Sequence, residues 1–207
     1  MKNLLNFLVE VGKLKRMPRM GWVLRGIDNP ETIADHTFRM TLMTWILCCK
    51  KKLNISKALK MSLIHDLCEV YAGDTTPFDC ILSRKGKKGK NIFNKWPRLS
   101  KKEKEIFFLN KCKKENKALR KITSKLPPKL RKEIINLWDE YEKGLTLEGR
   151  FVRQVDRVEN LLQALEYWKK GKKFKIEPWW IQIEELVDDP LLLKFIKVLE
   201  KRFHKKK

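Results

Sequence analysis

The chain has 207 residues, of which 43% are hydrophobic, and its 48 lysines and arginines outnumber its 25 aspartates and glutamates, giving a formal net charge of +23. This length and this hydrophobic content exclude a disordered chain and favour one domain with a sizeable core. No apolar run approaches the roughly 18 to 20 residues that span a bilayer. We therefore expect no membrane-spanning helix.

The cysteine content bears on the cellular compartment. Five cysteines, an odd number, are spread along the chain without a CxxC pair. This pattern argues against a disulfide framework and against a cysteine zinc site. We therefore expect a reducing compartment, that is, the cytoplasm.

Helical patterns begin at the first residues. The apolar side chains of residues 1–14 recur at helical spacing, which predicts an amphipathic helix and not a signal peptide. Thr32 and Asp35 have the spacing of a capping box, so a helix is predicted from there toward residue 50. Another helix is predicted from about residue 54 to Gly73, because glycine suits a left-handed C-terminal cap.

Residues 80–124 are predicted to form a basic insert, consisting of a mobile loop followed by a helix at 101–124. Further helices are predicted at 128–143, at 147–170 and after Pro190. Alternating β-branched runs are rare, so the predicted fold class is all-α, a single compact helical bundle over residues 1–207.

The positive charge is concentrated between residues 84 and 132, which hold 20 basic and three acidic residues. Such a surface could bind nucleic acid or another polyanion. The alternative is a solvated, lysine-rich insert. We favour the solvated insert, because few aromatic residues lie among the basic ones and no nucleic-acid-binding motif accompanies the charge.

Metal-type ligands occupy three separated helices. His36 begins the inward-facing stripe of its helix, the doublet His65-Asp66 lies on the next helix, and Asp156 lies at the edge of a later apolar face. Imidazole and carboxylate together suit a divalent metal such as Mn, Co, Fe or Zn. Glu69 follows the doublet by one helical turn and is predicted to share its face.

The pattern alone leaves the role of Asp156 open. A carboxylate at the edge of a core needs a partner, because burying an unpaired charge is costly. A metal ion is one such partner, and the guanidinium of Arg153 or Arg157 is another.

The segments that carry these residues resemble a known family. The order His36, His65-Asp66 and Asp156 is similar to the H…HD…D signature of the HD-domain superfamily of metal-dependent phosphohydrolases. Three stretches are similar to its 5′-deoxynucleotidase branch (HD domain-containing protein 2, YfbR-like). They are LKRMPRMGWVLRGIDNPETIADHTFRM, ALKMSLIHDLCEVYAGDTTPFD and LPPKLRKEIINLWDEYEKGLTLEGRFVRQVDRVENLLQALEY. Residues 80–124 match the branch poorly.

The resemblance implies one all-α HD domain in which four residues hold a single divalent metal ion, usually cobalt or manganese in active relatives. These ligands are His36, His65, Asp66 and Asp156. The implied reaction is hydrolysis of 2′-deoxynucleoside 5′-monophosphates to the deoxynucleoside and phosphate. Homodimers are the assembly that the family commonly forms.

The resemblance also implies substrate-binding and catalytic roles. Arg16 would contact the phosphate, with Arg19 and Arg25 as nearby alternatives. Glu69 would orient the attacking water or accept its proton, and Asp74 would contact the sugar or protonate the leaving 5′ oxygen. The residues that would line the sugar pocket are Thr75, Thr76 and Pro77.

Met17 marks a departure from some relatives, which carry at this position a tryptophan that helps to exclude the ribose 2′ hydroxyl. Strict deoxy selectivity is therefore a weaker expectation than phosphatase activity. Trp179 and Trp180 could form a platform for a base, but we interpret them as hydrophobic anchors of a late loop or a dimer contact.

Two alternatives to the nucleotidase remain. One is another HD-type phosphohydrolase, acting on nucleoside triphosphates, cyclic nucleotides or (p)ppGpp. The other is a non-catalytic adaptor that binds polyanions through residues 84–132. Intact metal ligands together with Glu69 and Asp74 favour the nucleotidase.

Overall fold

A computed structural model of the chain describes residues 1–76, 78–79, 99–171 and 174–203. The first helices are α1 (Lys2–Val11), a 3-10 turn (Gly12–Arg16), α2 (Met20–Val23), α3 (Ile33–Cys48), α4 (Ile55–Ile64) and α5 (Glu69–Ala72). They are followed by α6 (Lys101–Ile122), α7 (Pro128–Lys143), α8 (Leu147–Lys169), α9 (Glu177–Leu186) and α10 (Pro190–Phe203). These residues contain no β-strand, only an isolated bridge between Pro18 and Thr32. The predicted all-α fold is confirmed.

Helix α8 lies at the centre and packs against α3, α4, α7, α9 and α10. One stripe of its apolar side chains is fully enclosed, namely Val152, Val155, Val158, Leu161, Ala164 and Leu165. Removing such a stripe from water stabilises the fold by about 25 cal/mol for each Å² of apolar surface. The same helix therefore carries Asp156 and Glu159 into the interior of the protein.

A smaller apolar cluster joins the N-terminal segment to α5, α6 and α7. Leu14, Leu67, Leu119 and Trp138 are among its members. The cluster fixes α6, which is the helix predicted within the basic insert, against the body of the protein. The loop predicted between residue 80 and the helix at 101–124 lies almost entirely outside the described residues.

The start of α3 is set by the predicted capping box. The side-chain oxygen of Thr32 accepts a hydrogen bond from the backbone N–H of Asp35 at 3.2 Å, and the Asp35 carboxylate accepts one from the Thr32 N–H at 2.8 Å. Each bond satisfies a donor that the first helical turn leaves free. This places His36 in the first turn of α3, where it is fully buried.

The continuous helix predicted up to Gly73 is wrong. Helix α4 ends at Ile64, residues 65–68 form a turn, and α5 begins at Glu69. The imidazole of His65 donates to the Ser62 carbonyl at 2.8 Å, and the Trp138 indole donates to the His65 carbonyl at 3.2 Å. Side chains thus occupy carbonyls that a continuing helix would bond to its own N–H groups.

Helix α1 forms as predicted, although none of its residues is buried. Phe7 and Val11 pack partly against the smaller apolar cluster. Within the described part of the chain, no helix combines the length and the apolar character that crossing a membrane requires.

Candidate metal centre and active-site cavity

Two buried histidines face each other at the centre of the fold. The rings of His36 and His65 lie 5.4 Å apart, centroid to centroid. Nδ1 of His65 donates to the Ser62 carbonyl, and Nδ1 of His36 contacts the Glu159 carboxylate. Because each Nδ1 is engaged from behind, each Nε2 is the ring atom left to act as a metal ligand.

Asp156 completes a compact group of donor atoms. One ligand atom from each of His36, His65 and Asp156 lies within 4.8 Å of the other two. Nε2 of His36 is 3.2 Å from Oδ1 of Asp156, yet neither histidine Nε2 forms an aligned hydrogen bond. Two orphaned imidazole nitrogens beside a carboxylate fit a divalent metal ion. The group could therefore hold such an ion.

Asp66, the fourth predicted ligand, lies at the edge of this group. Its Oδ2 is 3.1 Å from Nε2 of His65 and accepts a hydrogen bond from Arg19 at 2.7 Å. The structure does not place Asp66 among the three mutually close ligands. In this arrangement the Asp66 carboxylate lies between His65 and Arg19.

Buried charges around the centre shift its protonation equilibria. Burial and Arg19 disfavour the charged imidazolium of His36, but Glu159 and Asp156 outweigh them and raise the pKa of His36 to about 10. For Asp156, burial is opposed by Arg157 and His36, which hold the pKa of the carboxyl well below its usual value. Asp156 is thus ready to bind a cation, whereas His36 must first lose a proton.

A further set of polar groups supports His36 from behind. Glu159 accepts a hydrogen bond from Nε of Arg39 at 2.8 Å. The same guanidinium also reaches Gln163 at 2.6 Å and Glu166 at 2.7 Å. Glu159 is therefore fixed on both sides, which fixes the orientation of the His36 ring.

A cavity of about 310 Å³ opens beside the metal-type ligands. It is lined by polar residues from several elements, including Asp66, Glu69, Asp74, Thr75, Thr76, Tyr141, Asp156, Arg157 and Asn160. Besides Arg157, the cations that line it are Arg19, Arg25, Lys111 and Arg153. Acids and cations that converge on one concave surface suit a small anionic ligand.

Glu69 and Asp74 both line the cavity, as their predicted roles require. Oε2 of Glu69 is buried without a hydrogen-bond partner. Burial and the neighbouring Asp66 and Asp74 raise the pKa of Glu69 well above its usual value. Oδ2 of Asp74 accepts a hydrogen bond from the Met20 N–H at 2.7 Å. A carboxylate with a raised pKa is a stronger proton acceptor than an ordinary one.

The predicted substrate-binding residues are only partly brought together. Thr75 and Thr76 line the cavity, and Pro77 lies outside the described residues. Arg16 is exposed and is not part of the described cavity wall. Met17 is also not part of it and packs partly against the smaller apolar cluster.

Arg19, the nearby alternative to Arg16, lies in the cavity wall. Its guanidinium donates to Asp66, lies 3.9 Å from Asp74 and donates to Asn160 at 3.3 Å. Only 13% of its side chain is exposed. The sequence signal was present, since Arg19 follows Arg16 by three residues, but sequence alone did not show which arginine turns inward.

Sequence reasoning missed two walls of the cavity. Trp179 lies in helix α9, not in a loop, and its indole stacks on that of Trp22 at 5.3 Å and 6°. Helix α6 contributes Phe107 and Lys111 to the cavity. Nζ of Lys111 lies 3.2 Å from the buried Glu115 carboxylate. The basic insert is therefore more than a solvated surface.

Comparison with known proteins shows the family of the chain. A family model described as HD domain matches residues 11–184. A conserved hypothetical protein from Pyrococcus furiosus has a similar structure, with a TM-score of 0.69, 29% sequence identity and coverage of 95% of this chain and 99% of that one. The chain belongs to the HD-domain family.

Relatives within the family carry a more specific name. The protein "5′-deoxynucleotidase HDDC2" of Xenopus laevis is 36% identical over 172 residues, which are 83% of this chain and 73% of that protein. The human protein of the same name is 37% identical over 166 residues, which are 80% of this chain and 69% of that protein.

Proposed function

We propose that this chain is a metal-dependent 5′-deoxynucleotidase, which hydrolyses 2′-deoxynucleoside 5′-monophosphates to the deoxynucleoside and phosphate. The observation that carries the proposal is the pair of orphaned Nε2 atoms on His36 and His65 beside Asp156 and an acid-lined and arginine-lined cavity. The names of the relatives that cover most of the chain support the same activity.

In this proposal one divalent ion, cobalt or manganese in vitro, is held by His36, His65, Asp66 and Asp156. Asp66 would contribute the carboxylate that lies 3.1 Å from Nε2 of His65. When bound, such an ion supplies Lewis-acid chemistry, because it polarises the phosphoryl group and acidifies water.

Arg19 would bind the phosphate. Its guanidinium lines the cavity and lies beside both Asp66 and Asp74. The planar fork suits two oxygens of one phosphate, and its charge offsets the negative charge of the transferring group. Arg16, the residue that matches the family motif, is the alternative phosphate contact.

Glu69 and Asp74 would accept and donate protons in the reaction. Glu69 has a free carboxylate oxygen in the cavity with which to orient the attacking water and accept its proton. Asp74, fixed by the Met20 N–H, would contact the sugar or protonate the leaving 5′ oxygen. The sugar pocket would be lined by Thr75, Thr76 and Pro77. Met17 stands where some relatives have a tryptophan that helps to exclude the ribose 2′ hydroxyl, so it would influence the selectivity for deoxynucleotides.

The remaining expectations are part of the same proposal. Residues 1–207 would form one HD domain, two chains would associate as a homodimer, and the protein would act in the cytoplasm. The absence of CxxC spacing supports the last point.

The test is phosphate release from deoxy- and ribonucleoside 5′-monophosphates by chelator-stripped protein resupplied with Co²⁺, Mn²⁺, Mg²⁺ or Zn²⁺. We expect metal-dependent release from deoxynucleotides and its loss in Asp66→Ala. Release from triphosphates or cyclic nucleotides alone would instead indicate another HD-type phosphohydrolase. No release from folded, metal-loaded protein would overturn the enzyme proposal and leave the polyanion-binding adaptor.

A further inference from the structure

Arg25 differs in its surroundings from the other arginines near the cavity. Arg19 pairs with Asp66, and Arg157 lies 3.5 Å from Asp156. In the described part of the chain, no carboxylate forms an ion pair with Arg25. Its NH1 donates to the Gly21 carbonyl at 2.7 Å, and its buried Nε has no partner. This is a partly buried cation without a countercharge.

Flat side chains hold the Arg25 guanidinium in place. Its central carbon lies 4.2 Å from the centre of the Trp179 ring and 5.0 Å from that of Phe78. Trp179 stacks in turn on Trp22, whose indole N–H donates to Glu31 at 2.8 Å. The rings fix the plane of the guanidinium, so its polar edge is the part that remains for a ligand.

Arg25 and these rings line the same cavity as the proposed catalytic residues. The connection is local, because Arg19 and Arg25 flank the short helix α2, which also carries Trp22. Arg19 contacts the acids of the metal centre, whereas Arg25 contacts none of them. One cavity therefore has an acidic, metal-type region and an aromatic region with a cationic donor.

In a nucleoside 5′-monophosphate the phosphate is carried on C5′ and the base on C1′, so the sugar separates the two groups. If the phosphate lies at the metal centre, the base extends into another region of the cavity. The aromatic region offers planar apolar surface and the guanidinium of Arg25, whose Nε has no hydrogen-bond partner. Burying an uncompensated cation costs free energy, and a ligand edge rich in acceptors would recover part of that cost.

We propose that Arg25 reads the substrate base and selects guanine over adenine. Guanine presents two adjacent acceptors, O6 and N7, which match the fork of an arginine, whereas adenine presents a donor amino group beside N7. The two purines have nearly the same shape, so the difference lies in this hydrogen-bonding edge. The inference rests on the proposed nucleotidase function and specifies its substrate.

The experiment compares kcat/KM for dGMP and dAMP in wild type, Arg25→Gln and Arg25→Lys. We expect the wild-type kcat/KM to be higher for dGMP than for dAMP. In Arg25→Gln the ratio of the two values should fall about tenfold, as expected for the loss of one bidentate base contact. Arg25→Lys keeps the charge without the fork, so it should lose most of the preference as well. Arg150→Gln, which removes an exposed arginine outside the cavity wall, should keep the wild-type ratio.

A binding measurement separates base reading from phosphate binding and from misfolding. Deoxyguanosine and deoxyadenosine have no phosphate, so their binding by calorimetry reports the base and sugar alone. We expect wild type to bind deoxyguanosine more tightly than deoxyadenosine, and Arg25→Gln to bind the two nucleosides equally. Thermal unfolding would confirm that the variant is folded.

Two results would overturn the inference while the nucleotidase proposal stands. One is an Arg25→Gln variant that hydrolyses all substrates with the wild-type ratio, and the other is a variant that slows dGMP and dAMP equally. Conversely, deoxyguanosine binding that depends on Arg25, without hydrolysis of any nucleotide, would retain base recognition and remove the proposed reaction.

Discussion

The two site histidines illustrate how single residues could prepare the candidate metal centre. His36 and His65 are each engaged at Nδ1, by Glu159 and by the Ser62 carbonyl respectively. Their Nε2 atoms remain without aligned hydrogen bonds beside Asp156. A ligand oriented in this way loses less conformational entropy on metal binding than a freely rotating ring does.

Glu159 should therefore control metal affinity although it does not line the cavity. We expect Glu159→Gln to weaken binding of Mn²⁺ or Co²⁺ by about 10- to 100-fold, because the charged partner of His36 is lost. Calorimetric titration would measure the change in metal affinity. Glu166→Gln is the matched control, since Glu166 pairs with the same Arg39 and does not contact His36. Equal affinities in both variants would contradict the prediction.

Metal binding should depend on pH through His36. Its pKa of about 10 in the metal-free protein means that the imidazole is protonated at neutral pH and must lose a proton to bind metal. Affinity should thus fall as pH falls, by about tenfold per unit for each proton released. Calorimetry in buffers with different ionisation heats would count the protons. An affinity that is constant between pH 6.5 and 8.5 would exclude this proton release.

Arg19 and Arg16 offer a direct comparison. Removing a guanidinium that stabilises the transferring phosphoryl group should lower kcat/KM by about 10²- to 10³-fold. We expect that loss in Arg19→Gln, because Arg19 lines the cavity, and little change in Arg16→Gln, because Arg16 is exposed. Steady-state phosphate release measures both. The reverse order would identify Arg16 as the phosphate contact.

At the scale of elements, the close approach of α7 and α8 determines part of the site. Tyr141 on α7 donates to Oδ2 of Asp156 on α8 at 3.3 Å. The two helices also approach each other closely at Gly149, where an added Cβ would lie 2.6 Å from the Glu140 carbonyl oxygen. Glycine at this position permits the contact that keeps the two site residues in register.

Gly149→Ala should therefore separate the helices. We expect a loss of about 1 to 3 kcal/mol in the free energy of unfolding, the usual cost of overpacking, and reduced phosphate release. Denaturant unfolding would measure the stability. Gly12→Ala is the control, because a Cβ there meets no atom within 4 Å and the backbone φ of Gly12 is −57°. If both variants were equally stable, the close packing would not be the cause.

The turn at residues 65–68 marks a limit of prediction from sequence. The capping box of α3 was predicted because Thr32 and Asp35 are three residues apart, and a local bond between them decides the helix start. The end of α4 depends instead on Trp138, which comes from a helix more than 70 residues away and bonds the His65 carbonyl. Spacing cannot reveal such a bond.

At the scale of the whole molecule, α3 presents an apolar face to solvent. Phe38 is 69%, Trp45 53% and Ile46 61% exposed. These side chains lie on one side of the helix, and contiguous exposed apolar surface commonly marks an interface. A chain with a net charge of +23 repels its copies through its lysines, so an uncharged face is the region where two copies could meet.

We expect the wild-type protein to sediment at twice the 24.8 kDa mass of the chain. Trp45→Glu should shift the equilibrium toward the monomer, because it places a charge within this apolar face. Lys52→Glu introduces the same charge at an exposed position outside the face and should leave the dimer intact. A wild-type monomer would contradict the homodimer proposal.

The sequence by itself determined the all-α class, the start of α3 and the residues of the H…HD…D signature. Each of these follows from local spacing or from residue identity. Only the tertiary structure decided that Arg19 rather than Arg16 faces the cavity, that Trp179 belongs to its wall, and that Lys111 reaches it from the basic insert. Such choices depend on how distant helices pack, because the side of a helix that becomes buried is set by its neighbours.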